Sequence, residues 1–116
     1  MFHFDEVVIT SLQEEMMGQR LEKINRISGG SINQARLDIR KTRDDKHGDD
    51  LYRVAIKLDA GKTHYFAESQ GASVEDSFFE SYKDIARAVK RDRNKMRQLA
   101  RTTQSYVKSW FQKRGK

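Results

Sequence analysis

The hydrophobic positions of this 116-residue chain change period several times, and each change marks an element. Phe2 and Phe4 alternate with His3 and Asp5, the two-residue period of a short first strand. Thr10 or Ser11 then offers a helix N-cap, with Glu14 and Glu15 in the first turn, where negative charge is favoured. Met17, Leu21 and Ile24 follow at i, i+4 and i+7, one face of a helix from about Ser11 to Ile27 that Ser28-Gly29-Gly30-Ser31 ends. Alternation returns over Ala35–Lys41, with Ala35, Leu37 and Ile39 on one face. A second alternating run puts Tyr52, Val54, Ile56 and Leu58 on one face and Arg53, Ala55 and Lys57 on the other. Thr42 to Asp50 is the polar loop between these strands, and Asp59-Ala60-Gly61-Lys62 is a tight turn into a fourth, Thr63–Glu68.

Ser73-Val74-Glu75-Asp76 reads as a capping box with Asp in place of Glu, opening a long helix. Phe79, Tyr82, Ile85, Ala86 and Val89 recur on it at three and four residues. Arg93 stands where the next core residue is due, and apolar positions resume at Met96, Leu99, Tyr106, Val107 and Trp110. Unbroken to Phe111, this helix would be about 57 Å long at ~1.5 Å per residue. A domain of this size is about 30–35 Å across, so the last turns either project from the body or bend back over it. The predicted fold is α+β, in the order β-α-β-β-β-α: one four-stranded sheet with two helices packed on one face and a polar face opposite. Residues 1–97 form the expected body, and 98–116 a basic, aromatic C-terminal extension of the last helix or a tail.

Hydrophobic residues make up 36% of the chain and charged residues 34%, which suits one small core under a wide charged surface. With no cysteine there is no disulfide framework, thiolate zinc site or thiol nucleophile. No apolar run approaches a membrane span, and Met-Phe-His-Phe-Asp-Glu has neither the basic nor the apolar region of a signal peptide, so a cytoplasmic protein is expected. His3, His47 and His64 have no metal-ligand spacing, and Asp44, Asp45, Asp49 and Asp50 read as a solvated loop. No Gly-rich phosphate cradle, nucleophile elbow or catalytic carboxylate pair stands out. Neither enzyme activity nor a cofactor, metal or small-molecule substrate is expected.

Charge is what separates this chain from an ordinary small domain. The net charge is +6, yet residues 83–116 hold 12 basic residues against Asp84 and Asp92 alone, leaving the rest of the chain acidic. Arg20, Lys23 and Arg26 fall at i, i+3 and i+6 on the first helix, away from its apolar stripe. Lys83, Arg87, Lys90, Arg97 and Arg101 form a stripe on the second, with Arg91 and Lys95 beside it. Like charges so spaced repel one another unless a polyanion neutralises them. A nucleic-acid surface is therefore expected at Arg20, Lys23, Arg26, Lys83, Arg87, Lys90, Arg91, Lys95 and Arg97; the plainer alternative is a solubilising helix surface. Tyr106, Trp110 and Phe111, among Lys108, Lys113 and Arg114, suit either base stacking or packing on the body.

These residues resemble a known family, the ribosome hibernation-promoting factors and ribosome-associated inhibitor A, also called sigma-factor modulation proteins. Ile9-Thr10 followed by Arg20-Leu21-x-Lys23-Ile24-x-Arg26 is similar to the family's first-helix pattern, with Ile and Arg as mild replacements. Phe66-Ala67-Glu68, then Glu75-Asp76 and an aromatic opening the last helix, is similar to its second motif, and the run around Arg91 and Lys95 to its third. The resemblance covers about residues 2–97. Gly71-Ala72-Ser73-Val74 departs from it as a short insertion, and residues 98–116 are basic where the tail of ribosome-associated inhibitor A is acidic. The dimerisation domain of the long family members has no counterpart in these residues. The resemblance implies binding to the rRNA of the small ribosomal subunit, between head and body, across the mRNA and A- and P-site tRNA positions, silencing translation under stress. The element order is also close to double-stranded RNA-binding domains, so the alternative is a general binder of structured RNA.

Overall fold

A computed structural model of the chain describes residues 2–5, 7–43, 46 and 48–114, with backbone alone for 96–114. The order is β1 (Phe2–Asp5), α1 (Ser11–Ile27), β2 (Gln34–Arg43), β3 (Asp50–Ala60), β4 (Thr63–Gly71) and α2 (Val74–Arg114). This is the expected β-α-β-β-β-α chain. The sheet runs β1-β2-β3-β4, with β1 parallel to β2 and the other neighbours antiparallel.

Register explains why one face is apolar. Phe2, Leu37, Ile56 and Ala67 lie in one row across the four strands, and Phe4, Ile39 and Val54 in the next on the same face. The intervening row, His3, Asp38, Ala55 and Glu68, points away from the helices. Met17, Leu21 and Ile24 of α1 and Phe78, Ile85 and Val89 of α2 close the core against the apolar rows.

Three local readings needed the structure. First, β2 and β3 pair beyond the apolar alternation to Arg43↔Asp50, shortening the expected loop. Lys41 Nζ lies 3.2 Å from Asp50 Oδ2, and the Thr42 hydroxyl donates to the Leu51 carbonyl, so polar cross-strand pairs hold these last rungs. Second, the N-cap of α1 is Thr10, in a reciprocal capping box with Gln13. Third, the residue of α2 deepest in the core is Phe78, fully buried, whereas Phe79 is half-buried. The face between Phe78 and Ile85 carries Ser77 and Ser81, which hydropathy does not mark. Their hydroxyls donate to the Tyr52 and Val54 carbonyls at 2.8 and 3.0 Å, so small side chains bring α2 close to β3.

The stretch from Gly71 to Val74 is the β4–α2 junction. Gly71 ends the strand where an added Cβ would lie 2.9 Å from Ser77 Oγ, and the Ser73 hydroxyl caps the helix by accepting from Asp76 N at 3.1 Å. The two-residue turn between β3 and β4 requires Gly61 at φ +64°. From Val74, α2 runs unbroken for 41 residues, about 62 Å at ~1.5 Å per residue, within a molecule measuring 75 × 30 × 20 Å. Of the two courses open to it, the helix takes the extended one.

Truncating Phe78→Ala is expected to cost about 3–5 kcal/mol, and Phe79→Ala much less. Urea unfolding of the two variants checks this, and equal losses would restore Phe79 to the core.

Candidate nucleic-acid interface

The two helices lie side by side and parallel, fastened at both ends. At the amino ends the Gln13 side-chain amide donates to Glu75 Oε1 at 3.5 Å. At the carboxyl end of α1, Arg93 Nη1 donates to the carbonyls of Arg26, at 3.4 Å, and Ile27. The last carbonyls of a helix lack intrahelical partners and carry its negative dipole end, so a guanidinium suits them. Arg93 thus fills the gap in the apolar period of α2 with a contact between helices. One residue earlier, the Tyr65 hydroxyl donates to Asp92 Oδ2 at 2.9 Å and ties α2 to β4. Burial, then the hydrogen bond and the negative charge of Asp92, raise the Tyr65 pKa above its usual value.

This clamp positions the basic residues. The Arg20 guanidinium lies 5.7 Å from the Phe79 ring and 5.9 Å from that of Tyr82, so it is half-buried between the helices. Lys23 and Arg26 are exposed on α1. On α2, Lys83, Arg87, Lys90, Arg91 and Lys95 are all exposed. The last four, with Asn94, line one shallow depression of about 390 Å³. Arg93 marks the side of α2 that faces α1. At ~100° per residue, Arg91 and Lys95, each two positions from it, lie on the flank away from α1. The cations therefore do not form one flat strip; they wrap a ridge, with Lys83, Arg87 and Lys90 along its crest. The Arg97 and Arg101 side chains, and those of Tyr106, Trp110 and Phe111, lie outside the described residues, as do Asp44, Asp45 and His47.

The ridge gathers exposed cations that lack ion pairs. Among the described residues, Lys23, Arg26, Arg87, Lys90, Arg91 and Lys95 form no ion pair; Lys83 pairs with Glu80 at 3.2 Å. On the open face of the sheet Arg36 pairs with Asp38, Arg40 with Asp5 and Arg53 with Glu68, at 3.1, 3.5 and 2.9 Å, while Lys57 lies over the Phe66 ring with no ion pair among the described residues. A polyanion approaching the sheet meets mostly salt-bridged charge, whereas one approaching the helices meets mostly cations without ion pairs. His64 bonds Asp59 at 2.6 Å, and no cluster of three metal-ligating side chains occurs among the described residues. No helix among them is long and apolar enough to cross a membrane. Sequence reasoning missed Arg93 and Asn94. The interrupted apolar period at Arg93 was the available signal.

No family model and no curated protein matches the chain by sequence. Solved structures do match its fold. The N-terminal domain of Protein Y from Thermus thermophilus superposes with a TM-score of 0.56 at 14% identity, covering 78% of this chain and 93% of that one. A ribosomal subunit interface protein from Coxiella burnetii gives 0.53 at 11% identity, covering 84% and 97%. At these identities the shared property is the fold.

Arg93→Ala should lower stability by about 1–2 kcal/mol, whereas Arg91→Ala should stay within about 0.5 kcal/mol. Chemical denaturation separates the two, and equal effects would remove the clamp. The Tyr65 pKa is raised in the folded state, so its contribution is intact below the unfolded value of 10.0 and is lost as pH rises through the folded one. The stability gap between wild type and Tyr65→Phe should therefore shrink in alkali, as read from urea midpoints between neutral pH and pH above 10.0.

Proposed function

We propose that this protein is a ribosome-binding translation inhibitor of the hibernation-factor type, acting in the cytoplasm on the small ribosomal subunit. The observation that carries the reading is a ridge of exposed cations of which only Lys83, among the described residues, is ion-paired, built on a fold shared with a ribosomal subunit interface protein. The resemblance in the Arg20–Arg26 and Arg91–Lys95 segments supports the same assignment.

The mechanism is steric and electrostatic. Lys23, Arg26, Lys83, Arg87, Lys90, Arg91 and Lys95, with Arg20 behind them and Arg97 further along the stripe, meet rRNA phosphates. Contacts of this kind position a protein without reading base sequence, and structured RNA is recognised largely through shape and backbone. A ridge charged on its crest and both flanks fits a cleft between RNA walls better than one helical groove. In the small subunit that cleft is the mRNA and tRNA channel between head and body. The body formed by residues 1–97 fills it and excludes both substrates while translation is silenced under stress. No covalent chemistry, cofactor or small-molecule substrate enters this reading.

Sedimentation of lysate tests it against a general binder of structured RNA. The protein should travel with small subunits or whole ribosomes, and recovery with bulk RNA instead would support the alternative. Eight phosphate contacts predict a log–log salt slope of roughly −6 to −7, and a slope shallower than about −2 would remove the ridge as the binding surface. Lys23→Glu and Arg91→Glu should each leave stability within about 0.5 kcal/mol yet weaken ribosome binding and relieve inhibition in cell-free translation. Lys46→Glu, in the acidic hairpin loop, should do much less. Arg20→Glu should also lower the melting temperature, because it loses both rings.

A further inference from the structure

The amino ends of the two helices form a second surface, opposite in chemistry to the cationic ridge. A cleft of about 610 Å³ opens there between α1, α2 and the sheet, walled by Val7, Val8, Tyr52, Val74, Gln13 and Glu75. Val8 is 94% exposed, and Leu12, just before Gln13, is 76% exposed, large apolar side chains left in solvent beside the cleft. Glu75 lines it, and Glu14, Glu15 and Asp76 are exposed on the first turns of the same two helices. Its one lining cation, Lys41, is paired with Asp50. The cleft lining is mainly polar, with Val7, Val8 and Val74 among its apolar side chains and carboxylates on the first turns of both helices, which suits a basic segment that also carries aromatic side chains.

The chain itself contains such a segment. Residues 98–116 carry Arg101, Lys108, Lys113, Arg114 and Lys116 with no acidic residue, and they include Tyr106, Trp110 and Phe111. Residues 98–114 belong to the far end of α2, whose first residue, Val74, lines the cleft. Along an unbroken helix the 36 positions from Val74 to Trp110 span about 54 Å at ~1.5 Å per residue, so a chain cannot place this segment in its own cleft. We propose that the basic, aromatic carboxyl-terminal turns of one copy dock in the cleft of a second. The contact is head-to-tail: each added copy leaves one cleft and one segment free, so assembly proceeds as open chains unless the rotation closes a ring.

Trp110 is the only tryptophan, so its fluorescence reports the segment directly. In the wild-type chain its emission should shift to shorter wavelength as protein concentration rises, and the weight-average mass from light scattering should rise with it. Added salt should reverse both, as screening weakens the charged rim. A full-length variant with Val8→Asp and Glu75→Lys has a blocked cleft, and one with Tyr106→Ser and Phe111→Ser a blunted segment. Each alone should remain monomeric, whereas an equimolar mixture should give a 1:1 dimer and stop there. Circular dichroism verifies both folds, and Leu12→Glu, at an exposed position, replaces the cleft variant if that one unfolds. A mixture that stays monomeric, or a cleft variant that associates like wild type, overturns the proposal. So does a Trp110 shift that appears only on adding RNA, which would make the segment an RNA contact. Ribosome binding by the monomeric variants is read separately, so loss of self-association and loss of the ribosome reading remain distinguishable.

Discussion

The arrangement of this protein depends on how α1 is made to end beside α2. Arg93 reaches the terminal carbonyls of α1, and the adjacent Asp92 accepts the Tyr65 hydroxyl from the sheet. These two contacts, with Gln13 and Glu75 at the other end, hold the helices parallel. Parallel helices gather both amino ends at one pole. Negative side chains are favoured at helix amino ends and positive ones at carboxyl ends. Glu14, Glu75 and Asp76 therefore collect at one pole, while Lys23, Arg26 and the basic stretch of α2 lie toward the other. The charge asymmetry visible in the sequence thus becomes asymmetry along the length of the molecule.

Much of this arrangement is legible in the chain, because elements with one buried face advertise their period. The alternation of Leu37, Ile39, Val54, Ile56 and Leu58 identifies two strands, and Met17, Leu21 and Ile24 identify the buried stripe of α1. Failures occur where packing uses residues that hydropathy does not mark. Phe78 and Phe79 are adjacent, and apolar spacing alone favours Phe79. The buried face is set instead by Ser77 and Ser81, whose small, hydrogen-bonded side chains bring the helix close to β3. The strands outrun their apolar runs because Lys41 pairs with Asp50 through charge, the Thr42 hydroxyl donates to the Leu51 carbonyl and the Arg43 guanidinium donates to the Gly48 carbonyl.

For the candidate site, the basic residues themselves were readable, but not which of them have partners. Arg20 looks like Lys23 in sequence. Only the fold sets it against Phe79 and Tyr82 and gives it a share in holding the helices together. The cations of β2 and β3 look equally available until register sets Arg40 and Arg53 against carboxylates of neighbouring strands and Arg36 pairs with Asp38 along its own. The distinguishing property of the helical ridge is thus that, Lys83 apart, its exposed described cations lack ion pairs, rather than the number of its cations.

The long second helix also has a mechanical consequence. Among the described side chains its last fastenings to the body are Asp92 and Arg93, and from there it continues to Arg114. About 30 Å of helix lies beyond that support, so a tilt of ~5° at the support displaces the tip by roughly 2–3 Å. The Tyr65 and Arg93 contacts are therefore the fulcrum of a lever. Small rearrangements at the end of α1 would be read out, amplified, at the tip.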